Sequence, residues 1–272
     1  MALEITLLGT GLPFPNPKRA GPGYMVQAGD TKILVECGSG VVRRLVEAGH
    51  SPGDIHHLFL SHLHSDHFID LGHFLISRWI LGDDRPLHVF GAEGLQRMIN
   101  LILEILEPDL RMRMSIRKVA REMPNVVVHH ISEGQALDED GFKVSAFDVE
   151  HFPLEQPFGY RFDIKDHSIV FSGDTRPCDN LIKHASGVDL LVHECTEANT
   201  WSKEHGSGQI DTHHIELAHT QPEQLGLIGR DAGVKELVVT HMNPQTIPEN
   251  IHSTISRDFD GPLTIGEDLM KF

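Results

Sequence analysis

The chain has 272 residues, 40% of them hydrophobic, and a formal net charge of −16 at pH 7. That is enough for one large domain with a sizeable core, and no run of about 18 apolar residues predicts a membrane span. The acidic balance argues against a broad nucleic-acid-binding face, which needs clustered Lys and Arg, and three scattered cysteines exclude a disulfide framework.

Leu3–Leu8 reads as a strand with no basic head or cleavage site before it, so no leader is expected and a reducing cytoplasm is the expected home. Further strand-like runs fall at 31–36, 56–61, 86–90, 125–130, 142–149, 168–172, 188–193 and 235–240. Helical periodicity predicts helices near 40–48, 66–80, 94–107, 177–185 and 221–232. Gly and Pro punctuate the joints, as in Gly9-Thr10-Gly11 and Gly21-Pro22-Gly23. The alternation predicts a layered α/β fold in one domain spanning 1–272, since no linker-like or repeated segment interrupts it. Between 95 and 119, Leu95, Met98, Ile99, Ile102, Leu103, Ile105 and Leu106 form an apolar face at helical spacing. Arg111, Met112, Arg113, Met114, Arg117 and Lys118 follow. The expectation is an outer helix packed on the core with a solvated basic turn; a substrate lid or a dimer contact is the alternative.

His62-Leu63-His64-Ser65-Asp66-His67 packs four potential metal ligands into six residues, directly behind the apolar run Leu58-Phe59-Leu60. Alternation along an extended chain sends His62 and His64 to one side, where they can share an ion. A helix starting just after Ser65 swings Asp66 and His67 toward a second ion. Imidazoles with a carboxylate suit zinc, with manganese or iron as alternatives. A solvated turn is the competing reading in a chain with 20 histidines, and the Asp between the histidines argues against it.

Two ions need more ligands than this run offers. His151, Asp174 and His241 each follow an apolar strand-like run and open a loop, where function concentrates. His50, His56, His88, His167, His184 and His252 lack that context and read as surface or strand-start residues. Gly9-Thr10-Gly11 reads as a tight turn rather than a phosphate cradle. Arg176 reads as a partner for nearby acids rather than a substrate clamp.

Together these residues resemble the metallo-β-lactamase-fold hydrolases over nearly the whole chain, and most of all the ribonuclease Z-like branch and the related arylsulfatases. Leu8–Pro13, Lys18-Arg19 and Gly38-Ser39-Gly40-Val41 resemble that branch's opening, and Ser61 to His67 resembles the superfamily signature. Phe158-Gly159-Tyr160-Arg161, Ser172–Cys178, Leu191–Thr196 and His219-Thr220 continue the match. The resemblance implies a four-layer αββα sandwich with two zinc ions at one edge of its sheets. Position by position, it implies His62, His64 and His151 on the first ion, Asp66, His67 and His241 on the second, and Asp174 bridging. Such a pair lowers the pKa of a shared water from about 16 toward about 7, and Asp66 is implied to orient it. His219 is implied as proton donor to the leaving oxygen, with Glu194 supporting its imidazole.

Ribonuclease Z carries a basic arm for transfer RNA, which its short form inserts between the Gly-Tyr-Arg strand and the Gly-Asp-Thr motif. Here Tyr160 lies 14 positions before Asp174, and the residues between read as a hairpin turning at Lys165-Asp166-His167. The expectation is a metal-dependent hydrolase of a small phosphodiester or related ester, without extended nucleic-acid contact and without a membrane. Arylsulfate hydrolysis is the nearest alternative; lactonase- or β-lactamase-like activity follows, and tRNA 3′-processing stands further off. Outside hydrolysis, the alternatives are a di-iron redox protein or a pseudoenzyme. A homodimer through the Leu95–Leu106 face is expected.

Overall fold

Strand-forming runs pair into two mixed sheets in a computed structural model that describes residues 3–82, 85–116, 122–139, 141–198 and 212–272. The first sheet is laid down in chain order: β1 (Leu3–Gly9), β2 (Gly23–Ala28), β3 (Thr31–Val35), β4 (His57–Phe59), β5 (Leu87–Gly91) and β6 (Val126–His130). It is antiparallel as far as β3 and parallel from there to β6. The second holds β7 (Gly134–Glu139), β8 (Phe142–Asp148), β9 (Phe158–Ile164), β10 (His167–Phe171), β11 (Leu190–Glu194), β12 (Leu237–Thr240) and β13 (Leu263–Ile265). It too starts antiparallel and turns parallel, at β10.

The two-residue period of a strand decides which side chains meet where. Ile33, Val35, Phe59 and Phe90 face inward against Phe142, Val144, Tyr160 and Phe162 of the other sheet. Their neighbours Leu34, Leu58, Leu60 and Val89 face outward, under α1 (Val41–Glu47), α3 (Leu71–Leu81) and α4 (Leu95–Ile116). The short α2 (Ser65–Phe68) opens the segment that leads into α3. On the far side, Val170, Leu191, Leu237 and Val239 pack under α5 (Asp179–His184), α7 (Pro222–Ala232) and α8 (Pro248–Ile255), and α6 (Thr212–Ala218) precedes α7. The layers are αββα, as the resemblance implies. Among the described residues no helix is long and apolar enough to cross a membrane.

The structure differs from the sequence expectations at several points. β2, β7, β13, α6 and α8 carry too little periodic signal to be predicted: β7 is an edge strand exposed along much of its length, and β13 has three residues. The predicted 66–80 helix is two, α2 and α3. The helix predicted to end near 107 runs on through Pro108 to Ile116, so Arg111 to Met114 lie on it rather than on a turn. Ion pairs one turn apart, Glu107 with Arg111 and Asp109 with Arg113, support that extension. Arg117, Lys118 and position 119 lie outside the described residues. The face at 95–106 is used by the core: Leu95 and Ile99 are buried, and Ile102, Leu103 and Leu106 pack against them. The apolar stripe that faces solvent is Leu101, Ile105, Met112 and Ile116, with Ile105 79% and Ile116 75% exposed.

Candidate metal centre

The carboxyl ends of the parallel strands gather at one edge of the sandwich, the usual place for a site in such sheets. The chain leaves β4 after Phe59, and the residues beyond Ser61 place His62, His64, Asp66 and His67 there. The second sheet contributes His151 beyond β8, Asp174 beyond β10 and His241 beyond β12. Two glycines let the backbone pack closely at this edge. A Cβ on Gly38 would fall 2.3 Å from the Asp66 carbonyl oxygen, and one on Gly173 (φ +59°) would fall 2.5 Å from the Phe158 carbonyl oxygen.

All seven predicted ligands meet. The ligand atoms of His62, His64 and His151 lie within 4.8 Å of one another, as do those of Asp66, His67 and His241. Asp174 stands between the groups: its Oδ2 is 3.9 Å from His62 Nε2 and His151 Nε2, 3.3 Å from His67 Nε2, and 3.4 Å from His241 Nε2. Asp66 Oδ2 lies 3.5 Å from His67 Nε2 and 3.4 Å from His241 Nε2. The rings of the first group stand edge-on, at 79° for His62 and His64 and 75° for His64 and His151, so their nitrogens converge, while His67 and His241 are tilted by 35°.

Hydrogen bonds occupy the outer nitrogens. His151 Nδ1–H donates to the Ala218 carbonyl at 2.8 Å, which leaves its Nε2 lone pair facing inward, and His62 Nδ1 pairs with Ser61 Oγ at 2.9 Å. His62 Nε2 and His67 Nε2 are buried without a hydrogen-bond partner. Orphaned inward nitrogens, edge-on imidazoles and two buried carboxylates suit a pair of divalent cations.

The electrostatics agree. Burial holds His62 well below the usual imidazole range, aided by His67, and burial lowers His64 and His151 as well. Burial pushes Asp174 upward, but His241, His67 and His62 outweigh it and hold the carboxyl well below the usual range. Asp66 is lowered in the same way, burial being outweighed by His67 and His241. The two acids are therefore ionised and most of the imidazoles neutral, as ligands require. His67 is the exception: despite burial, Asp174, Asp66 and Glu36 together raise it well above its ordinary value.

His219 and Glu194 also meet. His219 Nδ1 donates to Glu194 Oε1 at 2.9 Å, and the ring lies 4.8 Å from that of His151. Glu194 is locked in turn by the Thr175 backbone N–H at 2.9 Å and by Thr196 Oγ1 at 3.4 Å. Burial alone would lower His219; the Glu194 carboxylate more than reverses this, raising it to about 9. Arg176 pairs with Glu150 and points to no ligand, as expected.

One residue escaped the sequence reading. Glu36 is buried at φ 61°, a left-handed backbone that non-glycine residues rarely adopt and that clusters at functional sites. Its Oε1 accepts from Ser61 N at 3.0 Å, and its Oε2 lies 3.4 Å from His67 Nδ1, so one carboxylate holds both ends of the His62–His67 run. The signal was present: an acid ending the buried run of β3, the pattern that marked Asp174. His241 shares the left-handed backbone, at φ 56°.

Two facing sheets flanked by helices, with imidazoles and carboxylates gathered at one edge, define the metallo-β-lactamase fold. The comparisons agree: the chain belongs to the ribonuclease Z-like family of that fold, and to the family described as anti-Pycsar protein Apyc1, whose model matches residues 3–222. Ribonuclease Z of Mycobacterium bovis is 33% identical over 278 aligned positions, covering 99% of this chain and 97% of the relative. Such coverage leaves no room for an arm-length insert, so the short link between Tyr160 and Asp174 does not set the two apart. The metallo-β-lactamase fold protein YhfI of Bacillus subtilis superposes with a TM-score of 0.77 at 22% identity, over 100% of both chains. A diphosphatase of the PhnP family gives a TM-score of 0.70 at 17% identity, over 100% of this chain and 97% of that one.

Proposed function

We propose that the protein is a dinuclear zinc-dependent hydrolase that cleaves a small phosphodiester. The observation that carries this reading is Asp174 Oδ2, within 3.9 Å of four imidazole nitrogens drawn from both ligand groups. His62, His64 and His151 would hold one ion and Asp66, His67 and His241 the other, with Asp174 between them. Two divalent cations there supply a water ionised near neutral pH and neutralise charge on an ester's oxygens. The protein's own groups do the rest. Asp66 orients the attacking water, Glu36 fixes His67, and Glu194 holds His219 protonated where a leaving alkoxide needs a proton. Relatives and neighbours named for ribonuclease and diphosphatase activity support chemistry at phosphorus over sulfur.

The test is a panel of bis-p-nitrophenyl phosphate, cyclic and linear dinucleotides, p-nitrophenyl sulfate and a lactone, assayed with zinc and after chelation. Zinc-dependent turnover of the phosphodiesters is expected; turnover of the sulfate with negligible phosphodiesterase activity overturns the reading. A second reading, ribonuclease action on a structured RNA, is favoured by the 33% identical relative. The charge of −16 weighs against it, because an extended RNA face neutralises several phosphates. Preference for structured RNA over dinucleotides would select it. We place the reaction in the cytoplasm, where the three free, buried cysteines stay reduced, and cell fractionation checks this. We assign the expected homodimer contact to the exposed stripe of α4 rather than to its core-facing side. Ile105→Glu with Ile116→Glu is expected to shift a dimer to monomer in light scattering.

A further inference from the structure

The chain has two tyrosines, and both stand between the sheets with their hydroxyls on the opposite sheet. Tyr24, on β2 of the first sheet, stacks its ring on Phe171 of the second at 5.1 Å, and its hydroxyl meets Thr240 Oγ1 at 2.9 Å. Thr240 Oγ1 donates onward to the His193 carbonyl at 3.4 Å, so the Tyr24 hydroxyl is the donor to Thr240. Phe171 ends the strand that releases Asp174, and Thr240 immediately precedes His241. Tyr160, on β9 of the second sheet, makes the reverse crossing. Its ring stands edge-on to Phe59 at 5.2 Å, and its hydroxyl donates to the Leu60 carbonyl at 2.7 Å, two residues before His62. Both line one cavity of about 10 Å³ with Glu36, His67, Asp174 and His241.

The ligand groups make these crossings consequential. His62, His64, Asp66 and His67 come from the first sheet; His151, Asp174 and His241 come from the second. Each proposed ion therefore draws ligands from both sheets, and the span of its ligand set is an inter-sheet distance. Apolar packing is non-directional and fixes such a distance loosely, whereas metal–ligand distances hold within about 0.2 Å. Hydrogen bonds are directional and supply the missing precision. We propose that Tyr24 and Tyr160 are reciprocal struts that set the gap between the ligand-bearing edges, and with it the span of each ion's ligand set. This rests on the metal reading above. Burial raises both phenols above their ordinary range, so the hydroxyls stay protonated and keep donating.

The struts are tested with Tyr24→Phe, Tyr160→Phe and the double variant. Val144→Ala, in the inter-sheet core of β8, serves as a control for general destabilisation. Zinc affinity is measured by competition with a chromophoric chelator, and Co²⁺ spectra report ligand geometry. Each single variant is expected to bind at least one ion about tenfold more weakly, and the double about a hundredfold, the range found for groups that orient ligands. Val144→Ala is expected to lower the melting temperature and leave zinc affinity within about twofold. Hydrogen exchange in chelator-treated protein is followed at amides 60–67 and 238–243. It is expected to quicken there in the tyrosine variants while the β8–β9 pairing stays protected. Zinc affinity and exchange both unchanged in the variants would overturn the struts. Wild-type protein that binds no zinc would overturn the metal reading instead, and the exchange measurement still decides the struts. Should the double variant fail to fold, the single variants carry the same measurements.

Discussion

Two groups of histidines sit on the same sheets and behave differently. At the carboxyl edge, five imidazoles from three loops gather around Asp174, and the rings of His62, His64 and His151 stand edge-on to one another. Away from that edge, His57, His88 and His129 lie on neighbouring strands β4, β5 and β6, with ring centroids 5.7 and 5.2 Å apart and planes only 23° and 25° from parallel. Imidazole lone pairs lie in the ring plane, so stacked rings aim side by side and share no centre. Their nitrogens turn to each other instead: His88 Nδ1 meets His129 Nε2 at 2.9 Å, and His57 Nε2 meets Glu139 at 3.1 Å. Direction of approach separates a candidate metal centre from a histidine ladder, and histidine number does not.

The sharpest test of that contrast removes the carboxylate around which the first group gathers. Asp174→Ala is expected to lose at least one bound ion and to cut turnover more than the roughly hundredfold typical of outer-shell changes, read by metal content and initial rate. Two tightly bound ions in that variant would erase the distinction. Next is His219→Ala, expected to lower kcat by about 10²–10⁴ on an alkyl phosphodiester with little change in KM. On a nitrophenyl ester, whose leaving group needs no proton, the loss should nearly vanish. Glu36→Gln is expected to weaken zinc binding about 10- to 100-fold while the protein stays folded, measured by chelator competition.

The smallest effect belongs to the ladder. His57→Gln with His129→Gln should leave both ions and kcat within about twofold and move the melting temperature by about 1–3 °C. The sign with pH is set by burial, which lowers both imidazoles below the unfolded value of about 6.5. The unfolded chain therefore binds protons first, and the ladder's stability is complete above about pH 6.5 and lost as pH falls toward the folded values. The variant should melt with a shallower acid slope than wild type between about pH 7 and 5. An equal slope would show that the ladder carries no charge penalty.

Much of the site was legible because its ligands follow a local rule, an apolar strand ending in one polar residue. His62 to His67 adds dense spacing that composition rarely produces. Glu36 obeys the same rule and was passed over, since an acid at a strand end also reads as a solvated cap; only its burial and left-handed backbone reveal it. The long α4 was cut short because Pro108 reads as a breaker, and the ion pairs flanking it act only once the helix exists. Tyr24 gave no signal, for the partner of its hydroxyl, Thr240, lies more than two hundred residues away.

The order of most elements, the polarity of their strand faces and the choice of candidate ligands are properties of the chain itself, legible from two-residue and 3.6-residue periods and from strand-end residues. The meeting of the two ligand groups belongs to tertiary structure alone. Each group draws on both sheets, so its span is an inter-sheet distance, set by packing and hydrogen bonds between strands remote in sequence, and no local pattern encodes it.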